Sequence, residues 1–488
     1  MNPCILAVDI GTTSTKGLVV SSEGHVLANY QSYYPTFYPQ IDFAEQDPLQ
    51  IYQAVLEIIA KAILQVPDSF ELKGISFSSA MHSVMAVDED SNPITPLVIW
   101  ADTRSAHEAR GLRATHLGKL LHHQTGAPIH PMSPFCKLMW WNKHVPELIR
   151  TAHKFISMKE FVWHQLTGEY AVDYSIATAS GMFNIDSLAW HSEALRLSGV
   201  RAEQLSRPVD ATYQGSIKPD IQRQFSFPNV PIVIGASDGC LAQLGSGAMN
   251  KDDLTITIGT SAAVRRVSRK NLVDPQLRLF NYFLDGKTFI SGGASNNGTV
   301  IIDWFSRKFN HAPQNLKEFV EDTVKIPAGS DGLMVLPYLQ GERAPIYDAE
   351  ARGVFFGVSV RHTPEHFKKA MLEGICFEIL SIVRSVEEVH GLSDKIFVSG
   401  GFTYSAEWVQ LLSNVLGRDL IQTEVNDASA IGAAIIGFEA VGILYQLQQQ
   451  ERKVYKPDIS LSKFYHSNFE TFEQLYSKLK PLFNRSLK

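Results

Sequence analysis

Cysteine is scarce. Cys4, Cys136, Cys240 and Cys376 are the whole complement in 488 residues, and no two form a Cys-x-x-Cys pair. That spacing matches neither the common zinc patterns nor a disulfide framework, and it fits a reducing cytoplasm. A basic excess is also missing: 44 Lys and Arg face 50 Asp and Glu, leaving a net charge of -6. No dense Lys/Arg stripe appears, so nucleic acid is not expected as a partner. Long apolar runs are absent too. The longest, "AIGAAIIGFEAVGILY" from Ala430 to Tyr445, is broken by Glu439 and falls short of the ~18–20 residues of a membrane span. It predicts a buried helix and no membrane association. The opening "MNPCILAVDI" has no basic leader and carries Asp9 inside its apolar stretch, so no export is expected. Neither G-x-x-x-x-G-K-[ST] nor a G-x-G-x-x-G between strand and helix occurs, which argues against a P-loop or Rossmann nucleotide site.

What is present is a globular composition, 45% hydrophobic and 19% charged, in a chain long enough for two domains. Strand-like runs Ile5–Ile10, Lys16–Val20 and Val26–Tyr34 read as a β-meander. Asp47-Pro48 signals a helix start, and Ile51, Ala54, Val55, Ile58, Ile59 and Ile63 form its apolar stripe. The strand "GISFSSA", a hairpin-like "SVMAVDEDSNPITPLVIW" and a long helical region through "FCKLMWWNKHVPELI" follow. The class is α/β.

An internal echo organises the whole. Ile10-Gly11-Thr12 matches Ile258-Gly259-Thr260, and each triplet lies between apolar strands. Small and polar residues from Leu244 to Asp253 suit a connection, giving domains 1–247 and 248–488. Two related α/β halves then face each other, with a ligand expected between them. The copies differ in charge, because Asp9 aligns with Thr257 and Lys16 with Val264.

"GTTST" after Asp9 offers glycine, backbone N–H groups and hydroxyls, the requirements of a phosphate-binding turn. Thr12 and Thr13 would meet phosphate, Asp9 would hold Mg²⁺ directly or through water, and Lys16 would balance negative charge. A plain Thr-rich hairpin turn, with Asp9 bonding its own turn, is the competing reading. "VPIVIGASDGC" ends an apolar strand on Asp238, a candidate base or simply a turn-former or helix cap. Gly400-Gly401 in "KIFVSGGFTYSAEWVQLL" would let a nucleotide lie against the backbone, or would serve tight strand–helix packing. Met81 and His82 follow one strand, and Asp102 and Arg104 follow another. These are sugar-side candidates, though a histidine there is often a core residue and an Asp-x-Arg pair often an exposed ion pair.

"DIGTTSTK", "GASDGC", "GERAPIYDAEARGVFFGVS", "SGGFTYSAEWVQLLSNVLGRDL" and "DASAIGAA" together resemble the FGGY family of carbohydrate kinases, over nearly the whole chain. The resemblance implies two actin-like (ribonuclease H-like) domains with an active-site cleft between them, closing over MgATP and a sugar or polyol. It makes Asp238 the catalytic base that takes the proton of the attacking hydroxyl and also touches the substrate. It brings Gly401 and Ser405 near the adenosine or α-phosphate, with Ser405 where relatives carry Asn. Thr260 would approach the phosphates, and Gly298 would form part of the nucleotide wall. Ala80 stands where xylulose-acting relatives carry glutamine, and the Arg-Glu pair of glycerol-acting relatives is missing.

The block "SFSSAMHSVMAVD…VIWADTRS" with "TGAPIHPMSPFCKLMWW" is most similar to the gluconate-acting members. This implies transfer from ATP to the 6-hydroxyl of gluconate, giving 6-phosphogluconate and ADP. A carboxylate substrate asks for nearby cations, and Arg104, His82, His130 and Lys137 are available. A pentulose kinase of xylulose type is the alternative within the family; an actin-like ATPase or chaperone is the alternative outside it. The tail "QQQERKVYKPDISLSKFYHS" reads as a surface extension or as part of an interface, the latter in a homodimer.

Overall fold

The computed structural model describes residues 1–248, 250, 252–309, 315–423, 427–446 and 452–483. Two compact units emerge: Met1–Met249 with Ser268–Ile290 and Asp427–Gln449, and Asn250–Val267 with Ser291–Asn426 and Gln450–Lys488. Of the connecting stretch anticipated at 244–253, residues 249 and 251 lie outside the described residues, as do 448–451 of the tail.

The first unit opens as its alternation predicts. β1 (Asn2–Ile10) and β2 (Ser14–Ser21) pair antiparallel around the Gly11–Thr13 tip, and β3 (Val26–Tyr33) continues the meander. Asp47 caps α1 (Pro48–Ile63) by accepting from Leu49 N at 2.8 Å, while Pro48 fills the first turn where no N–H is needed. Ile51, Val55 and Ile59 of α1 bury against Leu6, Val8 and Ile10 of β1. β4 (Phe70–Ser79) runs parallel to β1.

The hairpin-like stretch after β4 folds back on itself through antiparallel bridges Val84–Val98 and Val87–Pro93, and its strands also take outside partners. Met85–Val87 takes its antiparallel partner from Lys154–Ile156, and Leu97–Val98 pairs with Glu45–Gln46. The long helical region is several pieces: Ala106–Arg113, His116–Thr125, α2 (Pro134–His144) and Pro146–Thr151. Proline at 134 and at 146 starts a new helix each time. α3 (Met158–Thr167) and α4 (Tyr174–Ala179) precede β5 (Ile232–Ser237), which runs parallel to β4 and leads into α5 (Asp238–Gly245). The sheet order is β3-β2-β1-β4-β5, with Gln214–Gly215 antiparallel at the edge.

The second unit repeats this plan. β6 (Asp253–Ile258) and β7 (Ala262–Ser268) form the second hairpin; β8 (Lys395–Ser399) is parallel to β6, and β9 (Leu420–Gln422) is parallel to β8. An antiparallel edge strand, Val454–Tyr455, closes the row. The short sequence echo is therefore a repeated sheet. The turns are not identical: Ile10 pairs with Thr15 but Ile258 with Ala262, so the second turn is one residue shorter. The ladder counterpart of Lys16 is accordingly Ala263, not the Val264 of the ungapped alignment.

α6 (Pro364–His390) and α7 (Ala406–Leu416) belong to the second unit. α8 (Ala428–Ala440), the buried apolar stretch, packs in the first. Its small residues permit close approach: a Cβ on Gly432 would lie 2.1 Å from Leu241 O of α5, and one on Gly437 2.8 Å from Ile5 of β1. Of the tail expected as a surface extension or part of an interface, the end enters a helix, Ile459–Phe483, whose Tyr465 is buried against Phe377 of α6, followed by Phe469 and Phe472 on the same partner. Among the described residues, no helix is long and apolar enough to cross a membrane, and all four cysteines are buried.

Candidate active site

Ile10, Ser79 and Ser237 share one row of the first sheet. The chain therefore leaves β1, β4 and β5 at the same edge, as Gly11, Ala80 and Asp238. The carboxyl ends of parallel strands are where α/β sheets bind ligands. The register reaches this row through a bulge in β5 at Gly235, where φ is +64° and a Cβ would fall 1.7 Å from Phe77 O. Only glycine fits both constraints.

The Gly11–Thr13 tip is held from outside. Tyr34 donates to Gly11 O at 2.6 Å, Gln46 Nε2 to Thr12 O at 2.6 Å, and Trp100 Nε1 to Thr12 Oγ1 at 3.0 Å. An indole N–H only donates, so the Thr12 oxygen accepts and its own hydrogen is turned elsewhere, as an anion would require. Thr13 is exposed. Asp9 and Lys16 are cross-strand neighbours. Lys16 Nζ meets Asp427 at 2.5 Å, and Ser429 donates to Asp9 Oδ2 at 2.7 Å. Asp9 Oδ1 is buried without a hydrogen-bond partner among the described residues. Burial pushes the Asp9 carboxyl up, opposed by the Ser78 and Ser429 hydroxyls and by Lys16.

The sugar-side candidates assemble around Lys137. Its Nζ donates to His82 O at 2.7 Å, Ile99 O at 2.8 Å and Met132 O at 2.8 Å, so one buried ammonium ties three loops together. Burial pulls it down to about 7. All three ammonium hydrogens go to backbone oxygens, so Lys137 is not a partner for a substrate carboxylate. His82 adopts φ +68°, and its ring nitrogens meet Ala179 O at 2.9 Å and Tyr282 Oη at 3.3 Å. Met81 packs at the rim of a cluster with Ile176 and Phe183. His130 is buried and accepts from Met132 N at 3.2 Å.

The Asp102–Arg104 pair is not the exposed ion pair of the bland reading. Its side chains are 0% and 6% exposed. Arg104 bonds both Asp102 oxygens and Glu45, and its guanidinium lies 3.7 Å from the Phe43 ring centre. Asp102 also accepts from Ala44 N at 2.8 Å. Two carboxylates already answer the arginine charge, so this cluster shapes a loop more than it offers a cation.

Asp238 opens α5, whose N-cap is Ser237. Gly239 N donates to Asp238 Oδ1 at 2.6 Å, and the residue is half-buried. A carboxylate at a helix N-terminus interacts favourably with the helix dipole.

In the second unit the nucleotide-side candidates also gather at strand ends. Gly298 N donates to Thr260 O at 3.1 Å and Thr299 N to Gly259 O at 2.7 Å; a Cβ on Gly298 would lie 2.3 Å from Gly259 O. Thr260 itself is exposed. Gly400, at φ +99°, backs onto Ile258 O, whereas Gly401 faces open space. Ser405 is buried and commits its hydroxyl to the cap of α7 and to Glu407 at 2.9 Å.

Four contributors escaped the sequence reading. Asp427 and Ser429 reach the first turn from more than 400 positions away; "DASAIGAA" was visible as a motif, but nothing local linked it to Asp9. Trp100 and Gln46 clamp Thr12 from 88 and 34 positions away.

Against known proteins, residues 4–245 match the FGGY family of carbohydrate kinases, N-terminal domain, and 254–441 the C-terminal domain. A gluconokinase of Bacillus subtilis is 36% identical over 498 aligned residues, covering 99% of this chain and 95% of the relative. The structure of a gluconate kinase from Lactobacillus acidophilus superposes with TM-score 0.92 at 29% identity, covering 98% of each chain. That of a ligand-bound xylulose kinase from the same species gives 0.91 at 29%, again covering 98% of each. With its repeated α/β sheets of actin-like, ribonuclease H-like type, the chain belongs to the FGGY family of carbohydrate kinases, phosphotransferases with an alcohol group as acceptor.

Proposed function

We propose that this carbohydrate kinase transfers the γ-phosphoryl group of MgATP to the 6-hydroxyl of D-gluconate, giving 6-phospho-D-gluconate and ADP. The observation that carries the choice of sugar is the 36% identity, spread over 99% of the chain, with a gluconokinase. Residues 1–247 are read as the sugar and phosphate side and 248–488 as the nucleotide side.

Asp238 is the general base in this reading. It takes the proton of the 6-hydroxyl as that oxygen bonds to the γ-phosphorus, while the bond to the β–γ bridging oxygen breaks and ADP leaves with the electron pair. Its support is the shared strand-end row that carries Gly11 and Ala80. Thr12, Thr13 and Lys16 serve the phosphates, and Thr260, Gly298 and Gly401 the nucleotide, with Ser405 acting only through its cap of α7. Met81, His82, Asp102, Arg104 and His130 form the sugar subsite, chiefly by shaping it. Asp9 fits a single protein ligand for Mg²⁺: its Oδ1 is a buried carboxylate oxygen with no partner among the described residues. Mg²⁺ accepts one carboxylate together with phosphate oxygens and water, and when bound it offsets phosphate charge.

A xylulose-type reading is favoured by the equal 29% identity to the xylulose kinase structure. Initial rates on gluconate, D-xylulose, L-ribulose and glycerol, with coupled ADP detection, test the choice. The expected result is a kcat/KM at least tenfold higher for gluconate; a value no better than that for xylulose overturns it. Sugar-independent ATP hydrolysis at full rate would instead indicate an actin-like ATPase.

A further inference from the structure

A buried polar chain lies behind Asp238. Lys159 of α3 and Asp173, whose side chains are 2% and 0% exposed, meet at 2.5 Å. Asp173 Oδ1 accepts from Ser175 N at 3.0 Å, Ile176 N at 3.2 Å and Ser175 Oγ at 2.5 Å. Ser175 Oγ in turn accepts from Ser237 N at 2.8 Å. Ser237 is the last residue of β5, and Asp238 follows it.

The direction of each bond is fixed. The Ser175 hydroxyl gives its hydrogen to Asp173 Oδ1, while Lys159 Nζ lies beside the other carboxylate oxygen. The Ser175 oxygen then presents a lone pair to the Ser237 amide. That amide sits just beyond the Gly235 bulge, where the β5 register has shifted against β4. Beyond the bulge the ladder resumes, with Ala236 beside Ser78 and Ser237 beside Ser79, and the Ser237 N–H is taken by Ser175 Oγ. Buried ion pairs seldom stabilise a fold more than apolar residues of equal volume. A pair buried here, two hydrogen bonds from Asp238, has another use.

We propose that Ser175, oriented by the Lys159–Asp173 pair, is a positioning residue that sets the exit direction of Asp238 through the amide of Ser237. This rests on the reading of Asp238 as the base. Loss of the Ser175 oxygen frees the strand end, so the carboxylate strays from the hydroxyl it must deprotonate; binding of either substrate needs no such alignment.

The test is a double-mutant cycle on the full chain, with gluconate and MgATP. Ser175→Ala is expected to lower kcat at least tenfold, with KM for gluconate and for ATP within threefold of the parent. Ser175→Cys, which keeps the volume but is a weaker acceptor, should fall between Ala and Ser and guards against a misfolded alanine variant. In an Asp238→Asn background, Ser175→Ala should change kcat less than twofold, because the base it aims is gone. An unchanged kcat in both Ser175 variants overturns the proposal, as does a tenfold loss that persists in the Asp238→Asn background. If Asp238→Asn alone leaves turnover within threefold, the base reading itself has failed, a result separate from the other two.

Discussion

Lys137 Nζ donates to the backbone oxygen of His82 at 2.7 Å, from a side chain that water does not reach. The same ammonium holds Ile99 O and Met132 O. Truncation to Lys137→Met leaves three buried carbonyls without their donor, at about 1–3 kcal/mol each. The expected outcome is a urea midpoint lowered by several kcal/mol equivalents, with KM for the sugar raised more than KM for ATP. Equal midpoints for the variant and the parent would mean that the three loops hold themselves.

Asp238→Asn keeps the shape and the helix-terminal position but cannot take a proton. Turnover should fall by roughly 10²–10⁴-fold, the contribution of a positioned base, while ATP affinity by equilibrium titration stays within threefold. Turnover within threefold of the parent removes Asp238 from the chemistry.

Asp9→Ala removes the carboxylate whose Oδ1 is unpartnered among the described residues. A Mg²⁺ titration of activity should shift to higher concentration, with lower maximal turnover. If metal dependence and turnover both match the parent, the opening turn is only a hairpin.

His122 is buried, and its Nε2 meets Leu279 O at 2.9 Å. Burial pulls the imidazole down to about 4, so the folded protein keeps it neutral while the unfolded chain takes a proton near 6.5. Between those values the unfolded state binds more protons, so stability rises with pH and is lost on acidification. By linkage the loss across the window is about 3 kcal/mol. Urea melts at pH 7 and pH 4.5 should show a larger acid loss for the parent than for His122→Gln; parallel losses would refute it.

Gly432→Ala tests the contact between α8 and α5. The new Cβ would lie 2.1 Å from Leu241 O, a backbone atom that cannot swing aside. Overpacking of this kind costs about 1–3 kcal/mol, readable as a lower melting temperature. No change would show that the two helices slide apart freely.

Much of this was legible from local chemistry. The Gly11–Thr13 hairpin, the Asp47 cap and the second Gly-Thr turn are written in contiguous residues, and each appears where the sequence puts it. The one-residue difference between the two turns was hidden, because an ungapped alignment through Gly-Thr does not sense which residues pair beyond it. The burial of Arg104 and the triple bond of Lys137 were hidden for another reason: charge reads as surface until long-range acceptors are known. Asp427 and Ser429 escaped because the chain returns to Asp9 only after β6 to β9 of the second sheet.

That return bears on how the protein is made. Gly437 of α8 sits where β1 and β4 would otherwise present Ile5 and Ser76, yet α8 leaves the ribosome only after β6 to β9 of the second unit. A nascent chain that has passed residue 249 holds every strand of its first sheet but lacks the helix that seals one face. Cutting the gene at the apparent midpoint would therefore yield an N-terminal fragment with an uncovered apolar surface, in need of the distal segment supplied in trans.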